Sequence, residues 1–422
     1  MTTNTAPSAP SSSSAATIDR QDERLRTSTG IKGTVDGAVD RIRSGDLGVL
    51  PVIAGLAIIW TVLQILNPKF LSSSNLVNLA MESAAVGVIA LGIVCVLLLG
   101  QIDLSVGSVS GLSAAVVTVT FVNQGWNVWL SVVAAVLMGM DIGWFYGQIF
   151  NRFGVPAFVI TLAGLLGFLG LQLYVLGPIG SINLPFDSPL VYFAQLAFVP
   201  AWLSYVLVIA AAAGLFLTDL RHARARKRAG LSSRSLVGSA VRAAVLLVLA
   251  GLIVWYLNQT RGVGWMFVFF LALVLAMNYA LTRTKWGRSM FAVGGNAEAA
   301  RRAGINVKAI YTSAFVACTT LAAVGGILAA SRLAAANQSS GGGDVNLNAI
   351  AAAVIGGTSL FGGRGSAFAA LLGIIVIQSI SSGLTLLSLD SSFRFMVTGA
   401  VLLLAVTLDS VSRRSRSSHG KA

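Results

Sequence analysis

Histidine and cysteine are almost absent from this chain of 422 residues, with two of each, and only 10% of the residues are charged. His222 lies in a basic stretch and His419 near the C-terminus, so neither a Cys/His metal set nor a Ser-His-Asp constellation can be assembled from them. Cys95 and Cys318 both fall inside apolar runs, which excludes a disulfide framework and leaves reduced thiols with a packing role. The phosphate loop GxxxxGK[ST] does not occur. These absences argue against an enzyme: no catalytic residue, metal ligand or cofactor is assigned to the chain. Any step driven by ATP and Mg needs those groups on a partner. The first ~45 residues have no apolar core of the kind a signal peptide requires. They read as a disordered, Ser-rich tail.

What is present is apolar. Hydrophobic residues make up 55% of the chain and its mean hydropathy is +0.81, more apolar surface than a water-soluble globule of this size can hide. The composition describes a polytopic membrane protein. Its 45 glycines suit helices that approach closely in lipid, and GxxxG pairs occur at Gly107/Gly111 and Gly143/Gly147.

The formal charge of +14 is confined to loops and tails. Of 29 Lys and Arg, six lie between Arg20 and Arg43, seven between Arg221 and Arg242, six between Arg283 and Lys308, and four from Arg413 onward. That segregation follows the positive-inside rule and assigns all four clusters to the cytoplasm. Nothing in the apolar stretches alternates like a barrel strand, so every crossing reads as helical. Twelve are predicted, at 48–66, 75–99, 105–122, 127–150, 156–178, 190–218, 239–258, 263–281, 309–330, 348–361, 366–387 and 392–409. An even number returns the C-terminus to the side of the N-terminus, in agreement with the charge pattern.

Two stretches are irregular at membrane depth, where broken backbone is tolerated only against protein or a water-filled cavity. One is GQIDLSVGSVSG, Gly100 to Gly111; the other runs from Ser339 to Ser366 and includes a run too short to span. Broken or short helices of this kind are expected to line a central pathway. Carboxylates in or beside the spans are Glu82, Asp103 and Asp141. Asp103 suits a helix cap or a solute contact, and Glu82 suits snorkelling or a pathway contact. Candidate hydrogen-bonding groups for a neutral solute are Gln101, Asp103, Ser105, Ser108, Asn346, Asn348, Thr358 and Gln378.

Between Gly287 and Ile305 a short charged helix is set into the apolar chain. Asn296 suits its N-cap, Glu298 its first turn, Arg301 and Arg302 its last, and Gly304 its left-handed stop. Glu298 reaches both arginines at i,i+3 and i,i+4 spacing. Such an element can hold its shape outside the bilayer as a plug for another protein.

Four motifs in order carry a family resemblance: NPKFLSSSNLVNLAMESAAVGVIALG from Asn67, GQIDLSVGSVSG from Gly100, the Gly287 to Ile305 run, and AAAVIGGTSLFGGRGS from Ala351. Over residues 48 to 412 the chain resembles the membrane permease of bacterial ribose/xylose-type ABC sugar importers, and most closely the longer xylose type. The resemblance implies a homodimeric permease in the cell membrane with both termini cytoplasmic. It also implies a cytoplasmic double-cassette ATPase and an extracytoplasmic sugar-binding protein as partners, and a monosaccharide as cargo. The chain then divides into an N-terminal tail at 1–46, a transmembrane permease domain at 47–410 with its coupling segment at 283–308, and a basic tail at 411–422. The coupling segment assigns Gly294, Gly295, Asn296, Glu298, Ala299, Arg301 and Arg302 to ATPase contact. A proton-coupled secondary carrier that uses Glu82, Asp103 or Asp141 as a relay is the alternative.

Overall fold

The computed structural model describes residues 50–229, 236–390, 392–393, 395–400, 403 and 407. The tails at 1–46 and 411–422, and eight of the eighteen residues of the crossing at 392–409, lie outside the described residues. Contacts divide the chain into two units, one formed by Gly48–Val199 with Thr260–Ala422 and a smaller one whose described part is Pro200–Gln259.

The smaller unit is a helical hairpin of α6 (Ala201–Arg228) and α7 (Leu236–Leu257). Asn258 Nδ2 donates to Ser204 Oγ at 3.1 Å and ties its open end. The helix of α6 continues through Arg221, Arg224, Arg226, Lys227 and Arg228.

The larger unit contains α1 (Leu50–Leu66), α2 (Ser73–Leu98), α3 (Val106–Thr118, continued by a π turn to Asn123), α4 (Val128–Phe153) and α5 (Ala157–Leu176). After Val199 the chain leaves this unit, and it returns for α8 (Trp265–Arg283), α9 (Lys285–Gly295), α10 (Ala297–Arg302), α11 (Val307–Leu333), α12 (Gly343–Ile355) and α13 (Ala367–Leu386). Among the described residues nine helices are long and apolar enough to cross a membrane. They match nine of the twelve predicted crossings. Of the others, α1 and α12 are shorter apolar helices.

The predicted crossing at 190–218 is corrected at its start. Only a single turn at Pro189–Val191 and a π turn at Tyr192–Leu196 precede a break, and α6 begins at Ala201. Pro200 explains the break: it has no amide proton to donate and biases Val199 toward extended backbone. The Val199 amide bonds the Val263 carbonyl at 2.8 Å instead. A second feature absent from the sequence reading is a three-residue antiparallel pairing of β1 (Ser181–Asn183) with β2 (Ala335–Asn337), in the register Ser181↔Asn337.

The largest core cluster surrounds α2, which is buried along nearly its whole length between α11, α12, α13 and α8. Small residues set the approach distances. A Cβ at Gly143 would lie 2.6 Å from the Phe315 carbonyl oxygen, and one at Gly147 2.7 Å from the Thr312 Cα, so this GxxxG pair is where α4 meets α11.

Candidate functional site

Two arrangements coincide with the residues singled out above, the α9–α10 elbow and the broken segments. In the elbow, Thr284 Oγ1 caps α9 by accepting from the Gly287 amide at 3.2 Å. Asn296 ends α9 and starts α10, its Oδ1 accepting from the Ala299 amide at 2.9 Å. Glu298 pairs with Arg301 at 3.0 Å and with Arg302 at 3.3 Å, with all three side chains at least half exposed. Gly304, at φ +82°, closes the helix while the Ile305 amide bonds back to the Ala300 carbonyl at 3.1 Å. Ala300 is buried beneath. The cap, the acid, the bases and the stop all stand where the sequence put them.

The elbow is held from inside. Trp286 Nε1 donates to Ser313 Oγ at 2.8 Å on α11, and Gly287, Met290 and Val293 are buried. Gly294 is spent on close approach: a Cβ there would overlap the carbonyl oxygen of Leu98, the last residue of α2. That same oxygen accepts the Gly363 amide at 2.9 Å. The end of α2, the end of α9 and the loop after α12 therefore meet at one point. Gly295, by contrast, has open space around it. Beside the elbow a cleft of about 750 Å³ opens between the last turns of α4 and the first of α11, with Arg152 and Lys308 on its walls and Val316 and Ala317 deeper along α11.

The broken segments meet far from that end. Because α11 rises about 1.5 Å per residue, it serves as a ruler. Asp103 lies beside Cys318, eleven residues into α11, so the extended stretch after Leu98 climbs to the helix's middle before α3 begins. Asp103 is fully buried, and its Oδ1 accepts from the Ser105 amide at 2.8 Å and from Ser105 Oγ at 2.7 Å. Its Oδ2 is buried with no hydrogen-bond partner among the described residues. Tyr146 Oη donates to Ser105 Oγ at 2.9 Å, and Thr161 Oγ1 accepts from the Leu104 amide at 3.1 Å. From the opposite direction the loop 338–342 descends onto α3. A Cβ at Gly107 would lie 2.6 Å from the Gly341 carbonyl oxygen, and Gln172 Nε2 holds the Ser340 carbonyl at 2.9 Å. Asn346 on α12 donates to the Leu104 carbonyl at 2.7 Å. Two short helices, α3 and α12, thus start near one another in the interior and run apart.

Asp103, Ser105 and Asn346 are brought together in this seam, where Asp103 holds the amide and hydroxyl of Ser105, the residue before α3, and caps no amide of the helix itself. The other predicted pathway residues are elsewhere. Gln101 is half-buried between α2 and α3, Thr358 is buried in the loop after α12, Asn348 is half-buried on α12, and Gln378 Nε2 donates to Glu82 Oε2 at 2.5 Å. Glu82 is exposed on α2 and bonded to that amide; Asp141 is exposed on α4. The reading missed Tyr146, Thr161 and Gln172. A buried polar side chain in an apolar helix is the signal that marks them. Besides Asp103 Oδ2, buried oxygens on Gln172 (Oε1), Thr320 (Oγ1), Asn346 (Oδ1) and Thr358 (Oγ1) lack hydrogen-bond partners among the described residues. Among those residues no group of His, Cys, Asp and Glu is placed to hold a metal.

A family model described as branched-chain amino acid transport system / permease component matches residues 75–406. The chain is 32% identical over 383 residues to the xylose transport system permease protein XylH of Escherichia coli K12, covering 90% of this chain and 95% of that protein. It is 29% identical over 375 residues to XylH of Haemophilus influenzae, covering 89% of this chain and 99% of that protein. With the ribose import permease protein RbsC of Bacillus subtilis it shares 32% identity over 357 residues, 84% of this chain and 90% of that protein. No solved structure gives a significant match.

Proposed function

The chain belongs to the branched-chain amino acid transport system / permease component family, and on that premise we propose that it carries a xylose-like monosaccharide across the cell membrane. In this reading it is the permease subunit of an ABC importer, works as a pair of identical copies, and takes its cargo from an extracytoplasmic binding protein. A cytoplasmic double-cassette ATPase binds ATP and Mg and supplies the work. The chain crosses the membrane twelve times, counting loop 338–342 with α12 as one crossing and 392–409 as the last. Both termini and the elbow are then cytoplasmic.

The observation that carries the coupling role is the α9–α10 elbow. It is a rigid, charged element with an exposed outer face, and its inner face touches both α2 and the loop after α12. The ATPase docks on Asn296, Glu298, Ala299, Arg301 and Arg302, with Gly295 leaving open space beside them, while Gly294 sets the elbow's approach to Leu98. ATP-driven movement of the docked cassettes then shifts Gly294 against Leu98, and with it the two short helices whose starts form the buried seam. Asp103, Ser105 and Asn346 keep those starts aligned; Gln101, Asn348, Thr358 and Gln378 lie along the route of the moving parts.

The test is Glu298→Arg in the assembled transporter. The substitution turns two attractive contacts into repulsion, and uptake and sugar-stimulated ATP hydrolysis should fall together. Normal assembly with both activities unchanged would refute the docking role.

A further inference from the structure

The positions 82, 85, 86 and 89 of α2 follow the i, i+3, i+4, i+7 spacing that places side chains on one helix face. Three of them, Ala85, Val86 and Ile89, wall a cavity of about 220 Å³. Further lining comes from α11, including Ala329 and Leu333, from Ser110 on α3, from the Ser339–Gly341 turn, and from Val345 in the first turn of α12. At ~30 Å³ per water the volume equals roughly seven water molecules, the room one small polar solute needs. Its walls are of two kinds. Val86, Ile89 and Val345 are aliphatic, whereas the Ser110 and Ser339–Gly341 side is hydroxyl and backbone.

Glu82 stands one turn before these wall residues on the same face. It is nine residues inside α2, about 13 Å from the helix start, and it is exposed. Its bonded neighbour is the neutral Gln378 amide. One turn further out, the Arg261 guanidinium engages Asn78. A carboxylate at that depth is costly against lipid and marks a face turned to protein or water. Glu82 and Gln378 together offer acceptors and a donor beside an aliphatic wall, a match for a ring with hydroxyls on its edge and C–H groups on its face.

We propose that this cavity, with Glu82 at its mouth, is a binding site for a neutral polyhydroxylated solute, such as a pentose, in each copy of the chain. The proposal rests on the import reading above and locates the cargo beside the buried seam, against the Ser339–Gly341 turn and away from Asp103 and Ser105. The Glu82 carboxylate accepts hydroxyl protons and repels anions, so sugar acids are excluded. Val345 is the link to the elbow, because α12 begins at the cavity and ends at the loop bonded to Leu98.

The experiment places Ala329→Cys in the full transporter, with ATPase and binding protein, in vesicles. Cys95 and Cys318 are buried, so the new thiol is the reactive one. A small hydrophilic methanethiosulfonate should modify it, and D-xylose or D-ribose, whichever is imported, should slow modification at least about threefold while xylonate does not. Adding Glu82→Gln should weaken protection by the sugar and let xylonate protect. Ala329→Trp, which fills the cavity, should lower uptake at least about tenfold while the sugar-loaded binding protein still stimulates the ATPase. A rate of modification indifferent to every pentose, wild-type uptake by Ala329→Trp, or cross-linking of the cysteine between two copies would each overturn the site. Sugar import that survives those results leaves the import reading standing, whereas a complex that imports no monosaccharide removes both.

Discussion

Gly294 and Gly295 are neighbours at the end of α9, and the structure assigns them opposite tolerances. A methyl on Gly294 would overlap the Leu98 carbonyl oxygen and come within 2.9 Å of the Gly363 amide nitrogen, both backbone atoms that cannot rotate aside. A methyl on Gly295 meets nothing. Gly→Ala in a helix gains about 0.5–1 kcal/mol of propensity at either position. The comparison of Gly294→Ala with Gly295→Ala cancels that gain and isolates the overlap, worth about 1–3 kcal/mol by the usual cost of overpacking. At about 2–4 °C per kcal/mol for domains of 150–250 residues, Gly294→Ala should unfold a few degrees below Gly295→Ala. The measurement is an apparent midpoint in detergent at one fixed scan rate, since unfolding of such a protein is seldom reversible. Uptake should separate the pair further. The wedge pushes α9 off α2, so Gly294→Ala should hydrolyse ATP with less sugar moved per turnover while Gly295→Ala matches the parent. Equal midpoints and equal uptake in the two variants would refute the packing account of the elbow.

Asn296→Ala removes the cap of a six-residue helix at a cost of about 1 kcal/mol, so titration of the ATPase onto the permease should show several-fold weaker association. In the buried seam, Tyr146→Phe removes one donor and should cost about 0.5–1.5 kcal/mol. Asp103→Leu strips the acceptor from both the Ser105 amide and hydroxyl and should cost about 1–3 kcal/mol for each stranded group; midpoints in the reverse order would count against Asp103 as the anchor of Ser105. The two native thiols should resist maleimide in the folded protein and react only after unfolding, because both are buried. In sealed cells Lys285 and Lys308, which flank the elbow, should be unreactive toward an impermeant amine reagent added outside, and labelling there would reverse the topology.

The elbow was readable residue by residue because capping is a local code. Asn296, Glu298, Arg301, Arg302 and Gly304 each have one favoured place within a single short helix, and no distant contact competes. Most crossings were equally legible, since an apolar run of span length has few alternatives in lipid. The 190–218 stretch was misread because hydropathy outweighed two prolines: Pro189 opens a single turn and Pro200 begins a new helix. The β1–β2 pairing joins segments about 150 residues apart through three residues each, with no periodicity to read. The polar candidates scattered for a related reason. Gln378 and Asn346 are both amides in apolar helices, and only the packing of α2 against its neighbours sends one to Glu82 at the surface and the other to Leu104 in the interior.

Thirteen residues make α12 a rod about 20 Å long, too brief to reach from one face of the bilayer to the other. Its brevity leaves no slack. One tip rests against α3 through Asn346 and the other runs straight into the turn stitched to Leu98. A helix this stiff transmits a nudge at its lower tip as tilt or translation of the upper one, with no flexible chain between them to absorb the stroke. In the import reading, a full-length helix anchored in both headgroup layers would resist such a stroke, whereas a helix of this length, completed to a crossing by loop 338–342, is at liberty to follow.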